Sequence, residues 1–194
     1  MEVLETEVEH ATRFLSLFKR RCRHNGKEFD WFFSSRSKNP APSAAEKTAD
    51  AVVIVSVYDD KGTPKLVLTS EFRVPINARE ISFPAGIIDP GQTPAEAAVR
   101  ELKEETGLDL EVLIESPNLF SSAGMTDESS MYVFGKATGE ASKEHLEAHE
   151  DIDVLLLDED GLRSFDYSAN ATSCKAWPLI WMYMQMGFEN FPNP

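Results

Sequence analysis

Three glutamates in one predicted helix are the residues whose types and spacing point most directly to chemistry. Glu101, Glu104 and Glu105 stand at positions i, i+3 and i+4, so their carboxylates lie on neighbouring turns of one helical face. Like charges this close repel one another, and either solvent or cations must neutralise them. Because these candidate ligands are all oxygens, the sequence favours a hard ion, Mg²⁺ or Mn²⁺, over zinc. A solvated acidic face has the same spacing, so the three glutamates alone leave both interpretations open.

The helix that carries these glutamates has well-marked ends. Thr93 is the predicted N-cap, Pro94 is the first helical residue, and Glu96 reaches back to complete a capping box. Gly107 supplies the stop signal. The apolar face that is predicted to pack on a sheet consists of Ala95, Ala98, Val99 and Leu102.

The stretch from residue 86 to residue 108 resembles the signature of the Nudix hydrolases. That signature is a glycine, an acid, and then Arg-Glu-aliphatic-x-Glu-Glu-x-Gly-aliphatic, and it is matched here by Gly86, Arg100, Glu101, Leu102, Glu104, Glu105, Gly107 and Leu108. Gln92 stands where the family has the acid, and this amide is expected to weaken the support of the loop and helix rather than to remove a metal ligand. The resemblance implies an α/β (α+β) fold, in which a mixed β-sheet is sandwiched between helices. It also implies hydrolysis of a nucleoside diphosphate that is linked to another moiety.

The resemblance also implies roles for individual residues. Glu101, Glu105 and the carbonyl oxygen of Ala85 would be metal ligands, and Glu104 would be a further ligand or a partner of the ligands. Bound divalent ions neutralise the charge of a diphosphate and lower the pKa of a bound water, and a base then orients that water. In the related proteins an acidic loop delivers this base. Glu150 is the predicted base here, with Glu147 as the fallback, and Glu101 and Glu104 complete the predicted catalytic group.

Residues 30–187 resemble the ADP-ribose pyrophosphatase branch of this family, which also takes other nucleoside diphosphate sugars. Arg73 matches an arginine that lies at the substrate phosphates. Trp31 and Arg36 match a tryptophan and an arginine that hold the nucleotide, often across a dimer. An indole can stack on a base, and a guanidinium can bind phosphate through two hydrogen bonds. A position for Trp31 in the core, beside two phenylalanines, is the alternative interpretation.

A loop after the helix resembles the part of this branch that forms the sugar side of the pocket. The resemblance makes Gly124 and Met125 predicted substrate-binding residues. Ala123 replaces the proline that marks ADP-ribose specificity, so the preferred base and sugar stay open. Ser82 replaces an acid that is usual just before the metal loop, which leaves one carboxylate fewer near the metals.

The remaining patterns predict the elements that surround these candidates. Leu4, Val8, Ala11, Leu15 and Phe18 recur in steps of four and three, which predicts an amphipathic helix over residues 1–22. Apolar runs predict strands at 52–58, 65–69, 131–134 and 152–157, with a hairpin turn at 59–64 and a terminal helix at 174–187. We therefore expect an N-terminal helix and linking segment over residues 1–45 and a Nudix hydrolase domain over residues 46–194.

Composition narrows the classes of partner. The chain has 33 acids and 19 Lys or Arg residues, and its formal charge of −14 disfavours binding to nucleic acid or to anionic membranes. The N-terminus has no secretory pattern and no stretch is apolar enough to span a bilayer, so we expect a cytoplasmic protein. The terminal helix is apolar on nearly every side, which predicts a homodimer.

The predicted function is Mg²⁺-dependent hydrolysis of ADP-ribose or of another nucleoside diphosphate sugar to a nucleoside monophosphate and a sugar phosphate. Two alternatives stay open. One is a Nudix hydrolase that acts on another nucleoside diphosphate derivative, such as a dinucleotide. The other is a catalytically idle Nudix protein that binds a nucleotide or a protein partner.

Overall fold

Two turns with paired left-handed residues set the hairpins of this chain. In the computed structural model, which describes residues 1–146 and 150–189, Asn25 and Gly26 have φ angles of 51° and 76°. Lys61 and Gly62 have φ angles of 53° and 93°. Two consecutive left-handed residues match the right-handed twist of the flanking strands, so each pair joins two antiparallel strands directly.

The described elements follow one another along the chain as strands with a helix near the middle and helices near the end. The strands are β1 (Glu2–Ala11), β2 (Ser16–His24), β3 (Lys27–Ser35), β4 (Ala51–Asp60), β5 (Thr63–Arg73), β6 (Ala78–Ser82), β7 (Ala85–Ile87), β8 (Asp109–Glu115), β9 (Leu119–Phe120), β10 (Ser129–Thr138), β11 (Ile152–Leu157) and β12 (Ala171–Thr172). The helices are α1 (Pro94–Thr106), α2 (Glu159–Ser164) and α3 (Trp177–Met186), and short 3₁₀ turns occur at Ala44–Glu46 and Val74–Ile76.

The chain divides into two compact units. Unit 1 consists of Met1–Asp50 and Asn118–Ser130, and unit 2 consists of Ala51–Pro117 and the described residues from Met131 onward. Unit 2 contains the predicted catalytic helix and most of the large sheet. The predicted division of the chain at residues 45 and 46 stays a prediction.

Unit 1 begins with an antiparallel sheet of β1, β2 and β3, so the predicted N-terminal helix is wrong. In β2 the side chains of Phe18 and Cys22 are buried, and the Phe18 ring stacks on Phe33 at 5.6 Å between centroids. On the other face, Lys19 Nζ pairs with Glu7 Oε2 at 2.5 Å. Packing and ion pairing between strands outweigh the helical spacing of the apolar residues. The Asn25-Gly26 pair was an available sequence signal for a hairpin, which the helix prediction did not use.

Unit 2 is built on a mixed sheet, and the predicted strands of this region are confirmed. Strands run in the order β12–β6–β5–β4–β10–β8, with β11 beside β5 and β7 beside β4. The β12–β6 pair is parallel, whereas β5 pairs antiparallel with β4, β6 and β11. The sheet brings together the end of β5, the start of β6 and, from a distant part of the sequence, the start of β11.

Helices cover both faces of this sheet, as the fold prediction requires. Alternate residues of a strand point to opposite faces. Val52, Ile54 and Val67 are buried in one core with Ala98 and Leu102 of α1. The opposite core combines side chains of β4, β5 and β6 with α3, and its buried members include Val53, Val55, Leu66, Leu68, Ile81, Ile180, Tyr183 and Met184.

The helix α1 begins and ends at the predicted residues. The Glu96 backbone N–H donates to Thr93 Oγ1 at 3.2 Å, and the Thr93 N–H donates to Glu96 Oε2 at 2.8 Å, which completes the capping box. Gly107 ends the helix with a φ of 76°. The buried face differs from the predicted one, because Val99 is 42% exposed whereas Ala97, Ala98 and Leu102 are fully buried.

The C-terminal helix α3 confirms the last predicted element. It buries Ile180, Tyr183 and Met184, while Trp181 on another side is 52% exposed. Within residues 1–146 and 150–189, we find no helix whose length and apolar character would suit it to cross a bilayer.

We predict that Gly107→Ala destabilises the protein more than Gly62→Ala does. Both glycines have positive φ, but a Cβ at Gly107 would lie 2.7 Å from the Ser142 backbone nitrogen, whereas a Cβ at Gly62 would meet nothing within 4 Å. The backbone strain should cost about 1 kcal/mol at either site, and the close contact should add about 1–2 kcal/mol at Gly107. Urea unfolding of both variants measures the difference, and equal losses would contradict the prediction.

Candidate functional site

The carboxylates of Glu101 and Glu105 lie against the segment that forms β7. The Ala85 backbone N–H donates to Glu105 Oε2 at 3.2 Å. A Cβ built on Gly86 would lie 1.8 Å from the Glu101 carboxyl carbon, so only glycine leaves room for this side chain. The strand β7 is itself held on β4, with Ala85 opposite Val53. The sheet and the helix therefore bring the predicted metal ligands Ala85, Glu101 and Glu105 together.

Burial makes these two carboxyl groups hard to ionise. Glu105 is 5% exposed, and burial, followed by the negative charge of Glu101, raises its pKa to about 9. Burial also raises the pKa of Glu101, although the Arg100 guanidinium opposes the shift. The acidic face of α1 is therefore not simply solvated, and a cation beside it would favour the ionised forms.

Arg100 is the cation that the described residues place beside these glutamates. Its Nη2 lies 2.9 Å from Glu101 Oε1, and its Nη1 lies 2.8 Å from Glu104 Oε2. Gln92 supports the same arginine, because its Oε1 accepts from Arg100 Nη2 at 3.3 Å and from the Asp89 backbone N–H at 3.2 Å. The amide thus makes the contact that an acid would make at this position, but without a charge.

The predicted base Glu150 interacts with the same group of carboxylates. The pKa values of Glu71, Glu101 and Glu105 are each raised first by burial and further by the negative charge of Glu150. Glu150 is half-buried and directly precedes the segment that leads into β11. The fallback base, Glu147, lies outside the described residues.

Glu71 is a residue of this site that the sequence interpretation missed. It lies near the end of β5, opposite Glu80 of β6 and Ile152 of β11. Its Oε1 accepts from Arg73 Nη1 at 2.7 Å, and Arg73 Nε lies 3.5 Å from Glu80 Oε2. The predicted phosphate-binding Arg73 is 40% exposed in its side chain, so its guanidinium is held between two carboxylates and still meets solvent. The spacing of Glu71 and Arg73 by two residues in a strand was the available signal, because such residues share a face.

The oxygen atoms of these side chains suit a hard divalent ion, although the side chains do not form a complete coordination site. Among residues 1–146 and 150–189, no three His, Cys, Asp or Glu side chains are gathered closely enough to hold an ion as they stand. The candidate ligands are all oxygens, and two of them belong to buried carboxyls whose pKa is raised. An ion bound here would compete with Arg100 for the oxygens of Glu101 and Glu104.

In unit 1, Trp31 is placed on the surface rather than in the core. It is 50% exposed, whereas Phe33 in the same strand is 7% exposed and packs on Phe18. Trp31 lines a cavity of about 220 Å³ whose wall includes Arg20, Phe33, Lys47, Phe120, Ala123 and Asp127. Two buried polar atoms of this wall, Arg20 Nε and Asp127 Oδ1, have no hydrogen-bond partner among the described residues.

The other predicted substrate-binding residues of unit 1 lie around the end of β3. Arg36 Nε donates to Glu128 Oε1 at 3.0 Å. The Met125 carbonyl oxygen accepts from the Ser34 N–H at 2.9 Å, and the Met125 side chain is 73% exposed. Gly124 precedes it in the turn that begins at Ser122, and a Cβ at Gly124 would meet nothing within 4 Å. The structure thus groups Trp31, Arg36, Gly124 and Met125 in unit 1 and the remaining candidates in unit 2.

Comparisons with known proteins show which family this chain resembles. Residues 47–166 match the family model described as the NUDIX domain. "Putative nudix hydrolase 2" of Caenorhabditis elegans is 33% identical over 156 residues, which cover 77% of this chain and 68% of that protein. "ADP-ribose pyrophosphatase" of Saccharomyces cerevisiae is 34% identical over 103 residues, which cover 53% of this chain and 43% of that protein. The chain thus spans less than half the length of the yeast relative.

The fold also matches a solved structure. A crystal structure described as ADP compounds hydrolase superposes with a TM-score of 0.64 over 96% of both chains, at 20% sequence identity. At that level of identity the similarity concerns the fold.

We predict that Glu105→Gln stabilises the metal-free protein at alkaline pH. The folded chain keeps a proton on Glu105 up to about pH 9, whereas the unfolded chain releases it near the ordinary pKa of 4.5. Between these values the folded state binds more protons, so the contribution of this group to stability falls as pH rises. In EDTA, the Tm of the variant should exceed that of the wild type at pH 8, by about 2–4 °C for each kcal/mol regained, and the gap should close towards pH 4.5.

Mg²⁺ should then raise the Tm of the wild type more than that of the variant, because the amide is a weaker ligand. Glu115→Gln, at an exposed position of β8, is the matched control and should leave the pH dependence unchanged. A difference in Tm between Glu105→Gln and wild type that stays constant from pH 4.5 to pH 8 would contradict the raised pKa of the buried carboxyl.

Proposed function

We propose that this chain, which belongs to the Nudix family, hydrolyses the diphosphate bond of ADP-ribose or of another nucleoside diphosphate sugar. The products would be a nucleoside monophosphate and a sugar phosphate. The observation that carries the proposal is that Glu101 and Glu105 lie against the Ala85–Gly86 backbone, where the charge of Glu150 acts on both. The name of the yeast relative, an ADP-ribose pyrophosphatase, supports this substrate class.

The proposed cofactor is Mg²⁺, for which Mn²⁺ can substitute. Glu101, Glu105 and the Ala85 carbonyl oxygen are the proposed ligands, with Glu104 as a further ligand or a partner of the ligands. When bound, the ion would neutralise charge on the diphosphate and lower the pKa of a coordinated water. Arg100 keeps the carboxylates of Glu101 and Glu104 beside β7, where they can meet this ion.

The proposed roles of the remaining residues of unit 2 follow from their charges and positions. Glu150 is the proposed base, because its charge acts on Glu71, Glu101 and Glu105 and its carboxylate can orient a water beside them. Arg73 is the proposed phosphate contact. Its guanidinium is partly exposed, and it can form two charge-assisted hydrogen bonds to phosphate oxygens.

In unit 1, the cavity lined by Trp31 supports nucleotide binding. The exposed indole offers a stacking face for a base. The Arg20 Nε donor and the Asp127 Oδ1 acceptor, both buried without partners among the described residues, match the hydrogen-bonding edge of a base. Arg36, Gly124 and Met125 are the other proposed contacts of the substrate. Ala123 lines the same cavity, so the identity of this residue can influence which base or sugar is preferred.

Oligomeric state and location also stay proposals. We propose a homodimer because α3 leaves Trp177 and Trp181 40% and 52% exposed. We further propose that the protein is cytoplasmic. Its formal charge of −14 disfavours nucleic-acid and anionic membrane partners, so we propose that it has neither. Sedimentation as a monomer at micromolar concentration would contradict the dimer, and recovery in a membrane pellet would contradict the location.

We predict that the purified protein hydrolyses nucleoside diphosphate sugars only when a divalent ion is present. The test measures phosphate-ester release from ADP-ribose, UDP-glucose, GDP-mannose, NADH and diadenosine polyphosphates, in Mg²⁺, in Mn²⁺ and in EDTA.

Glu150→Gln should lower kcat by about 10²–10⁴-fold, because the amide cannot accept a proton. Trp31→Ala should raise KM with kcat nearly unchanged, and Phe32→Ala is its matched control because it removes an equally exposed ring from the opposite face of β3.

Each other outcome of this panel has a distinct meaning. Preference for NADH or diadenosine polyphosphates would support the other hydrolase reading and contradict the nucleotide-sugar substrate. Tight binding of ADP-ribose without turnover in Mg²⁺ would favour the idle Nudix protein. A folded protein that leaves every substrate intact and binds none of them would contradict the proposal entirely.

A further inference from the structure

Arg79 binds the chain segment that directly follows the proposed base. Its Nη1 lies 2.8 Å from Asp151 Oδ2, and its Nη2 lies 2.7 Å from Asp153 Oδ2. The same guanidinium donates to Ser70, from Nε to Oγ at 3.1 Å and from Nη2 to the carbonyl oxygen at 2.6 Å. One side chain of β6 therefore joins β5 to the start of β11.

The shape of the guanidinium explains how one side chain makes these contacts. Its donors lie in a rigid plane and point in different directions, which suits two carboxylates and a carbonyl at once. Ser70 lies opposite Asp153 in the β5–β11 pairing, and Arg79 lies opposite Phe72 in the β5–β6 pairing. A lysine at position 79 would keep the charge but could not reproduce this set of directions.

These contacts set which way Glu150 faces. Asp151 and Asp153 both turn their side chains to Arg79, on the same face as Ser70. If the alternation of β11 continues back through Asp151, the residue before it is expected on the other face. That is the face of Glu71 and of α1, and the charge of Glu150 acts on Glu71, Glu101 and Glu105 there.

The segment that contains Glu150 needs contacts that hold it in place, because the nearby carboxylates repel Glu150. Glu71 and Glu101 repel Glu150 whenever their carboxyl groups are ionised, so their charge disfavours the position of Glu150. The Phe72 N–H donates to the Asp151 carbonyl oxygen at 3.2 Å, which is one backbone bond at the end of the ladder. Asp153 is also bound by Lys143 Nζ, so cations hold this aspartate from β6 and from the preceding loop.

Stability alone does not account for this arrangement. The Asp151 and Asp153 side chains are 68% and 50% exposed, and solvent screens exposed ion pairs strongly. A small misplacement of a catalytic group can nevertheless lower a rate by about 10²-fold. The contacts of Arg79 are therefore better suited to fixing a position than to stabilising the fold.

We propose that Arg79 is a positioning residue, which holds Asp151 and Asp153 on one face of the sheet and thereby fixes Glu150 on the other, where it orients the attacking water. This inference rests on the proposed function, in which Glu150 is the base.

The test compares Arg79→Ala and Arg79→Lys with Arg163→Ala, which removes an exposed arginine that pairs only with Glu159 of α2 among the contacts described for it. Arg79→Ala should lower kcat by about 10–10²-fold with KM changed less than about threefold, because substrate contacts are retained. Arg79→Lys should recover only part of kcat, and Arg163→Ala should match the wild type. Asp153→Asn removes the charge of the other partner of this ion pair and should also lower kcat. This variant replaces Arg79→Ala in the test if Arg79→Ala does not fold.

A double-mutant cycle shows whether Arg79 acts through Glu150. Arg79→Ala should lower kcat little further in a Glu150→Gln protein, because the base that it positions is already lost. Hydrogen exchange gives a readout that does not depend on activity. The Phe72 amide should exchange faster in Arg79→Ala than in Arg163→Ala, with Tm nearly equal in the two variants.

The outcomes separate this inference from the function on which it rests. An inactive wild type, or an active Glu150→Gln protein, would overturn the proposed function or the proposed base. An active wild type with unchanged kcat in Arg79→Ala would overturn the positioning role alone. So would a full additional loss from Arg79→Ala in the Glu150→Gln background, or unchanged exchange of the Phe72 amide.

Discussion

The contact between α1 and β7 is the constraint on which the rest of unit 2 depends. It places the Glu101 carboxylate where a side chain on residue 86 would otherwise lie, and it buries Glu105 against the Ala85 N–H. Burying acidic groups next to each other is unfavourable in itself, as the pKa of about 9 for Glu105 shows. The surrounding elements must therefore hold these groups in place until a cation favours their ionised forms.

Two arginines hold the acidic groups from opposite sides. Arg100 lies on α1 and binds Glu101 and Glu104, while the Gln92 amide and the Ile87 carbonyl oxygen support it. Arg79 lies on the far face of the sheet and binds the two aspartates that flank the first residue of β11. The helix of the proposed ligands and the segment of the proposed base thus each have a guanidinium that makes several contacts with acidic side chains.

Local signals in the sequence predicted α1 and four of the eight strands described in unit 2, because caps, turns and alternation depend on neighbouring residues. Thr93, Pro94, Glu96 and Gly107 define α1 at both ends as expected. The N-terminal helix was wrong because its apolar residues serve a sheet, in which Phe18 meets Phe33 through strand pairing.

The role of Arg79 could not be predicted from local signals, because it follows from the registers that join β5 to β6 and to β11. The strand β11 is distant in sequence from the other two, and a register shift of one residue would turn each side chain to the other face. The raised pKa of Glu105 likewise depends on how deeply α1 packs, which helical spacing does not specify.

Anomalous diffraction from crystals soaked in Mn²⁺ tests most directly whether a divalent ion binds between α1 and β7. We expect a peak bound by Glu101, Glu105 and the Ala85 carbonyl oxygen, with Glu150 facing it. A Mn²⁺ peak elsewhere, with Glu105 still bound only to the Ala85 N–H, would contradict this expectation.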